Sequence, residues 1–224
     1  MPIKITIDNI KNKYLKDKKY IIIQPIININ TIGLINGMYA TSYGNGGTLP
    51  IHAKFFPSNI FLELKLTGLQ QEVMRESMHV SLTVAWNLID IDKQNIIREK
   101  YDLINNKCGI NIHTGDGSVQ KDGPSGGCAI TCVIYSLLNN IPIKADFAIT
   151  GEIQMSGQVT AIGGLTHKII GSIKAGVKSF IFPKDNQKDF DEFLEKYQNS
   201  NIIKGISFYP INHVNEAFNL ILDK

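Results

Sequence analysis

Residues 121–150 read KDGPSGGCAITCVIYSLLNNIPIKADFAIT, and the order of features in this stretch decides the fold class. Glycines and Pro124 break the chain, an apolar helical pattern follows, and ADFAIT then reads as a buried strand. Ile130, Val133, Ile134, Leu137 and Leu138 fall at i, i+3, i+4, i+7 and i+8, which predicts a helix with one apolar face ended by Asn139 and Asn140. Downstream, Gly151, Gly157 and Gly163–Gly164 mark a hairpin-like stretch. Leu165, Ile169 and Ile173 predict a second helix over about 165–175, with Gly176 as its C-terminal cap. VKSFIFP then reads as a strand stopped by Pro183, and a last helix is predicted over most of 212–223. Helices alternating with strands in this way imply an α/β domain.

Working upstream, GINIH at 109–113 is a short strand, and residues 91–107 read as a charged connector. From Glu72 the apolar spacing of Met74, Met78, Leu82, Ala85 and Ile89 is helical. IFLELKL at 60–66 alternates as a strand does, and two further strands are expected at 36–42 and 48–56, around a turn at Gly44, Gly46 and Gly47. Residues 1–32 are rich in Ile, Asn and Lys; the alternation in KYIIIQPIININT suits strands or an arm. The expected organisation is an arm or strands over 1–32 and one domain over 33–224.

The composition narrows the function classes. The chain has 224 residues, 43% hydrophobic and 19% charged, enough to bury a core. The net charge of +3 comes from 23 basic and 20 acidic residues. So small an excess does not argue for a nucleic-acid or anionic-membrane partner. The basic run KNKYLKDKK at 11–19 contains its own acid and reads as a solvated face. No stretch approaches the roughly 20 apolar residues of a membrane helix, and MPIKITIDNIKNK lacks the pattern of a secretory signal, so an intracellular location is expected. Cys108, Cys128 and Cys132 have no metal-ligand spacing. Cys128 and Cys132 sit one helical turn apart and read as buried packing in a reducing compartment.

Several catalytic patterns are missing from the sequence: G-x-S-x-G, H-E-x-x-H, paired C-x-x-C, and the G-x-x-x-x-G-K-[ST] phosphate loop. The glycine-rich loop TGDGSVQKDGPSGG at 114–127 could cradle a phosphate at a helix start, but Asp116 and Asp122 would repel an anion. Ser125 stands at that helix start, where a serine either caps the helix or, with Gly126 and Gly127 leaving its approach open, serves as a nucleophile beside free amides. Lys168 lies about 60° from Leu165, on the border of the apolar stripe of its helix. It either lays its stem over the core and reaches water or, if its ammonium is dehydrated, acts as a base. An ordinary lysine has a pKa of about 10.4, so a useful base at neutral pH needs that value lowered by ~2–3.

KDGPSGG at 121–127, TGEI at 150–153 and GQVTAIGGLTHK at 157–168 together strongly resemble the signature blocks of the Lon protease proteolytic domain. HTGDGSVQ, QEVMRES at 71–77 and KAGVKSFIFPKDNQKDF at 174–190 extend the resemblance over roughly 33–222. It implies an α/β fold related to the second domain of ribosomal protein S5, and an endopeptidase in which Ser125 is the nucleophile and Lys168 the general base. It also implies that Thr150 contacts the lysine, with His113, Lys121, Asp122 and Glu152 near the site. Protein or peptide substrates and assembly as a hexameric ring follow from the same resemblance; most relatives carry an ATP-driven unfoldase on the same chain, so action without ATP or with an unfoldase on another chain are both open here. No cofactor is expected in this chain, and ATP only through a separate or removed ATPase domain. Gly115 and Gln120 stand where the family commonly has prolines, and His52 where it often has a glutamate. A dedicated processing enzyme is a second reading, and a catalytically silent module for assembly or binding a third. Retention of both Ser125 and Lys168 speaks against the third.

Overall fold

Leu34–Ala40 (β1) and Gly46–Ser58 (β2) form an antiparallel hairpin paired from Leu34–His52 to Ala40–Gly46. This hairpin sits in the middle of the sheet. The computed structural model describes residues 5–16, 25–103, 106–115 and 121–223. In chain order the remaining elements are β3 (Leu64–Thr67), α1 (Glu72–Asn87), α2 (Ile91–Tyr101), β4 (Asp102–Leu103), β5 (Asn106–Thr114) and α3 (Gly127–Asn139). They continue with β6 (Phe147–Ile149), β7 (Glu152–Ile153), β8 (Val159–Thr160), α4 (Leu165–Lys174), β9 (Ser179–Pro183), α5 (Gln187–Tyr197), β10 (Ser207–Ile211) and α6 (Val214–Ile221).

The main sheet runs β10-β9-β6-β1-β2-β5-β3, with β4 added against β5, while β7 and β8 form a separate hairpin. Strands β10, β9, β6 and β1 are mutually parallel; β2 is antiparallel to both β1 and β5. The pleat sends alternate residues to opposite faces. Phe147, Ile149 and Ile181 therefore join one core with α1, α3 and α6, while Ala148, Phe180 and Phe182 join a second with α4 and α5. The α/β class expected from the sequence is the observed one.

Several elements differ from expectation. The strand expected over 60–66 begins only at Leu64, because Glu63 N–H bonds back to the Ile60 carbonyl and turns the chain. The expected connector over 91–107 is mostly helix. Only Ile97 is buried in α2, so its apolar signal is thin. Tertiary ties hold it instead: Gln94 Nε2 donates to the Trp86 and Ile89 carbonyls, and the Arg98 guanidinium stacks over Trp86 and Phe61. Helix α3 buries almost its whole circumference rather than one face. Its polar residues are satisfied internally, Thr131 by the Gly127 carbonyl and Ser136 by the Ile141 carbonyl. Cys128 and Cys132 are buried there, and burial together with the Cys128 contact pushes the Cys132 thiol up.

Of the expected arm, residues 25–31 run along the body. Ile26 N–H donates to the Ala175 carbonyl, and Thr31 bridges Ile143. The expected alternation over 20–24 lies outside the described residues. No helix among the described residues is long and apolar enough to cross a membrane.

Candidate active site

Ser125 lies in a single 3₁₀ turn, Pro124–Gly126, that leads directly into α3. Proline suits this position because the first turn of a helix leaves its N–H groups unpaired anyway. The Gly127 N–H closes the turn on the Pro124 carbonyl, and the Ser125 amide is a first-turn donor without a helical partner. The Ser125 carbonyl accepts two hydrogen bonds, from the Gly151 N–H at 2.8 Å and from Thr150 Oγ1 at 3.1 Å. Thr150 immediately follows β6 and is fully buried, its own N–H held by the Ile181 carbonyl.

Lys168 arrives from the other face of the sheet. Its helix α4 buries Leu165, Lys168, Ile169, Gly171 and Ser172, so the inward stripe is rotated toward the lysine relative to the one read from Leu165, Ile169 and Ile173. The apolar pattern missed this because two of the inward residues are small rather than hydrophobic. A Cβ on Gly171 would stand 1.8 Å from the Gly46 carbonyl oxygen, and one on Gly46 would stand 2.1 Å from the His167 carbonyl oxygen. The two glycines let α4 press against the start of β2, which sets the depth of the lysine. Gly176, at φ 101°, ends the helix as expected.

At that depth Lys168 is only 3% exposed. Its Nζ donates to Thr150 Oγ1 at 3.1 Å. Among the described residues the amine has no carboxylate partner and no direct bond to Ser125 Oγ. Loss of hydration with no compensating negative charge favours the neutral amine. The Lys168 pKa accordingly falls from its ordinary 10.5 to about 8, by desolvation. The geometry is a relay of amine, threonine hydroxyl and serine carbonyl at the carboxyl end of a central parallel strand, where α/β sheets commonly bind their ligands.

The other residues expected near the site separate into two groups. Lys121 ties the loop to the turn before α1: its N–H donates to the Leu69 carbonyl, its carbonyl accepts from the Gln71 N–H, and Nζ donates to the Gly68 carbonyl. Asp122 is exposed, and Glu152 on β7 is half-buried, with Oε1 accepting from Gln154 Nε2. His113 has opposite pleat parity to the core residues Ile110 and Ile112, bonds Thr67 through Nδ1 at 3.0 Å, and faces His52 across the strands at 6.3 Å between ring centroids. Burial, then His113 and Lys54, lower the His52 pKa.

The sequence reading did not find a groove of about 620 Å³ that opens beside Pro124, between α1 and the β7–β8 hairpin. Ser77 of α1 donates to the Pro124 carbonyl at 3.4 Å and joins the groove wall to the serine turn. The available signal was the QEVMRES block; what was missing was knowledge that α1 packs against α3.

A hydroxyl at a helix start, an unpaired amide beside it and a dehydrated amine one side chain away are the parts a hydrolase of the serine–lysine class requires. The chain belongs to the family of Lon protease (S16) C-terminal proteolytic domains, which it matches over residues 4–224. It is 37% identical over 222 residues to the Lon protease homolog of Acanthamoeba polyphaga mimivirus, covering 95% of this chain and 21% of that protein. Similarity to the Lon protease of Buchnera aphidicola is also 37%, over 221 residues, with 99% and 26% covered. For the Lon protease of Helicobacter pylori it is 36% over 215 residues, with 90% and 25% covered. The chain thus spans about a fifth to a quarter of the length of the curated relatives it matches.

Proposed function

We propose that this chain is a serine endopeptidase in which Ser125 attacks the peptide carbonyl and Lys168 is the general base. The observation that carries the reading is the buried Lys168 amine, 3% exposed and with a pKa near 8, bonded to the threonine that also holds the Ser125 carbonyl. At pH 7 roughly one amine in ten is then neutral, against about one in three thousand for an ordinary lysine.

Thr150 donates its only hydroxyl hydrogen to the Ser125 carbonyl, so its oxygen must act as acceptor toward Lys168. One amine N–H is thereby fixed, which orients the lone pair of the neutral form. Ser125 Oγ bonds to that lone pair when substrate enters and the side chain turns; catalytic hydrogen bonds commonly tighten only at that stage. Ser125 Oγ then forms its bond to the carbonyl carbon while its proton passes to Lys168 Nζ. The ammonium returns that proton to the leaving amine as the peptide bond breaks. Water, deprotonated by the same amine, then hydrolyses the acyl-enzyme. The Ser125 amide is available to hold the oxyanion, a donor of the kind whose loss costs ~10²–10³ in rate.

These steps call on no cofactor in this chain. ATP would enter only through an ATPase domain, attached or separate, and unfolded or dedicated proteins are the substrates. A ring of six copies is the assembly the family resemblance implies, and residues 33–224 are assigned as the catalytic unit, with the preceding residues as an arm or strands. The test is cleavage of casein and a fluorogenic peptide by wild type, Ser125→Ala and Lys168→Met. The reading requires serine-dependent turnover that both variants lose while folded; unchanged turnover in Ser125→Ala refutes it.

A further inference from the structure

We propose that the groove beside Ser125 selects polypeptide segments in which an apolar side chain is flanked by lysine or arginine; this rests on the peptidase reading and names its substrate class. The groove wall is apolar where it is deepest: Ile153 is buried, and Val73 and Met155 stand exposed at its sides. For a folded domain, exposed apolar side chains converging on a concave surface are the ordinary mark of a binding site.

The charged residues of the wall are all acidic. Glu72 and Glu76 come from α1 and Glu152 from β7, and among the described residues no Lys or Arg lines the groove. None of the three is in an ion pair with a described residue. The nearest cations in sequence are tied to backbone: Arg75 Nε donates to the Gln70 carbonyl and Lys121 Nζ to the Gly68 carbonyl. Helix stability explains only part of this set. Glu72 in the first turn is favoured by the helix dipole. Glu76, four residues on, repels Glu72 across one helical turn. Glu152 converges on them from a separate hairpin. The rim is thus negative on a chain whose net charge is +3, and it borders the serine turn directly through Pro124.

Carboxylates on an open rim act through the local field, raising the concentration and encounter rate of cationic segments, and salt screens them beyond about 8 Å at physiological ionic strength. The apolar wall fixes the segment once it arrives. A segment with acidic flanks would meet like charges at both stages.

The experiment compares three peptides of equal length, each with one central leucine, flanked by lysines, serines or glutamates. At low ionic strength the expected order of kcat/KM is lysine, then serine, then glutamate, with about ten-fold or more between the extremes. The spread should shrink to within two-fold in 0.5 M NaCl and in the Glu72→Gln/Glu76→Gln variant. Equal rates in wild type, or a spread that survives the double substitution, overturn the proposal. If no peptide is cleaved in a Ser125-dependent way, the peptidase reading fails, and fluorescence anisotropy of the same peptides on the chain still decides the groove. The same order of affinity, lost in the double variant, upholds it; no order overturns it.

Discussion

Replacing Lys168 by methionine separates catalysis from stability more cleanly than any other single change. Burial lowers the amine pKa from 10.5 to about 8, a fall of about 2.5, equivalent to about 3 kcal/mol of destabilisation whenever both states are protonated. The sign follows from proton binding. Between pH 8 and 10.5 the unfolded chain holds a proton on this lysine that the folded chain has released. Wild-type stability therefore rises with pH across that window, and the full cost is present below pH 8. Methionine fills a similar volume without a charge. It removes the cost but leaves Thr150 Oγ1 without its Lys168 donor, a loss of about 1 kcal/mol. Urea denaturation at pH 7 should find Lys168→Met more stable than wild type by about 1–3 kcal/mol. By pH 9.5 that difference should have moved about 2 kcal/mol in favour of wild type. Peptide cleavage should be lost at every pH. Parallel stability curves, or a variant less stable at pH 7, would show that the amine is structural and would refute the assignment.

The rate of peptide cleavage should rise with pH and reach half its plateau near pH 8, following the neutral amine, as measured by kcat/KM profiles. Thr150→Val removes the acceptor that orients the amine and should lower kcat by about 10- to 100-fold, less than the ~10²–10⁴ that loss of the general base itself would cost. Circular dichroism should show the fold retained. Gly171→Ala drives a methyl group against the Gly46 carbonyl oxygen and should destabilise by about 1–3 kcal/mol, measurable by thermal melting. If it lifts α4 as the geometry requires, the half-plateau of the pH profile should also move upward toward 10.5; a melting change with an unmoved profile would separate packing from positioning.

The candidate site was more legible than the sheet that carries it. Ser125 could be placed from Pro124 and its glycines, because helix starts are written in local residue chemistry. Lys168 needed the family resemblance: its helix faces inward through Gly171 and Ser172, which no hydrophobic pattern registers. The sheet order was not readable, since β1 pairs with β6 more than a hundred positions away and nothing local encodes that choice. Helix α5 and strand β10 went unread, α5 because only Phe190 and Phe193 of its residues are buried, β10 because Pro210 interrupts a short run. The pairing of His113 with His52 across β5 and β2 was likewise unreadable, because it depends on strand register rather than on any local pattern.

The β7–β8 hairpin is pinned to the start of α6. His213 Nε2 bonds the Ser156 carbonyl, its Nδ1 receives the Asn215 N–H, Val214 N–H donates to the Gly157 carbonyl, and Val159 N–H donates to the Asn212 carbonyl. One wall of the groove next to Ser125 is therefore fastened by residues translated long after the serine and the lysine. A ribosome-bound chain exposed only as far as residue 170 or so would carry both Ser125 and Lys168 without the clasp. On the proposed reading, cleavage competence would then arrive late in synthesis, sparing the emerging polypeptide and its neighbours.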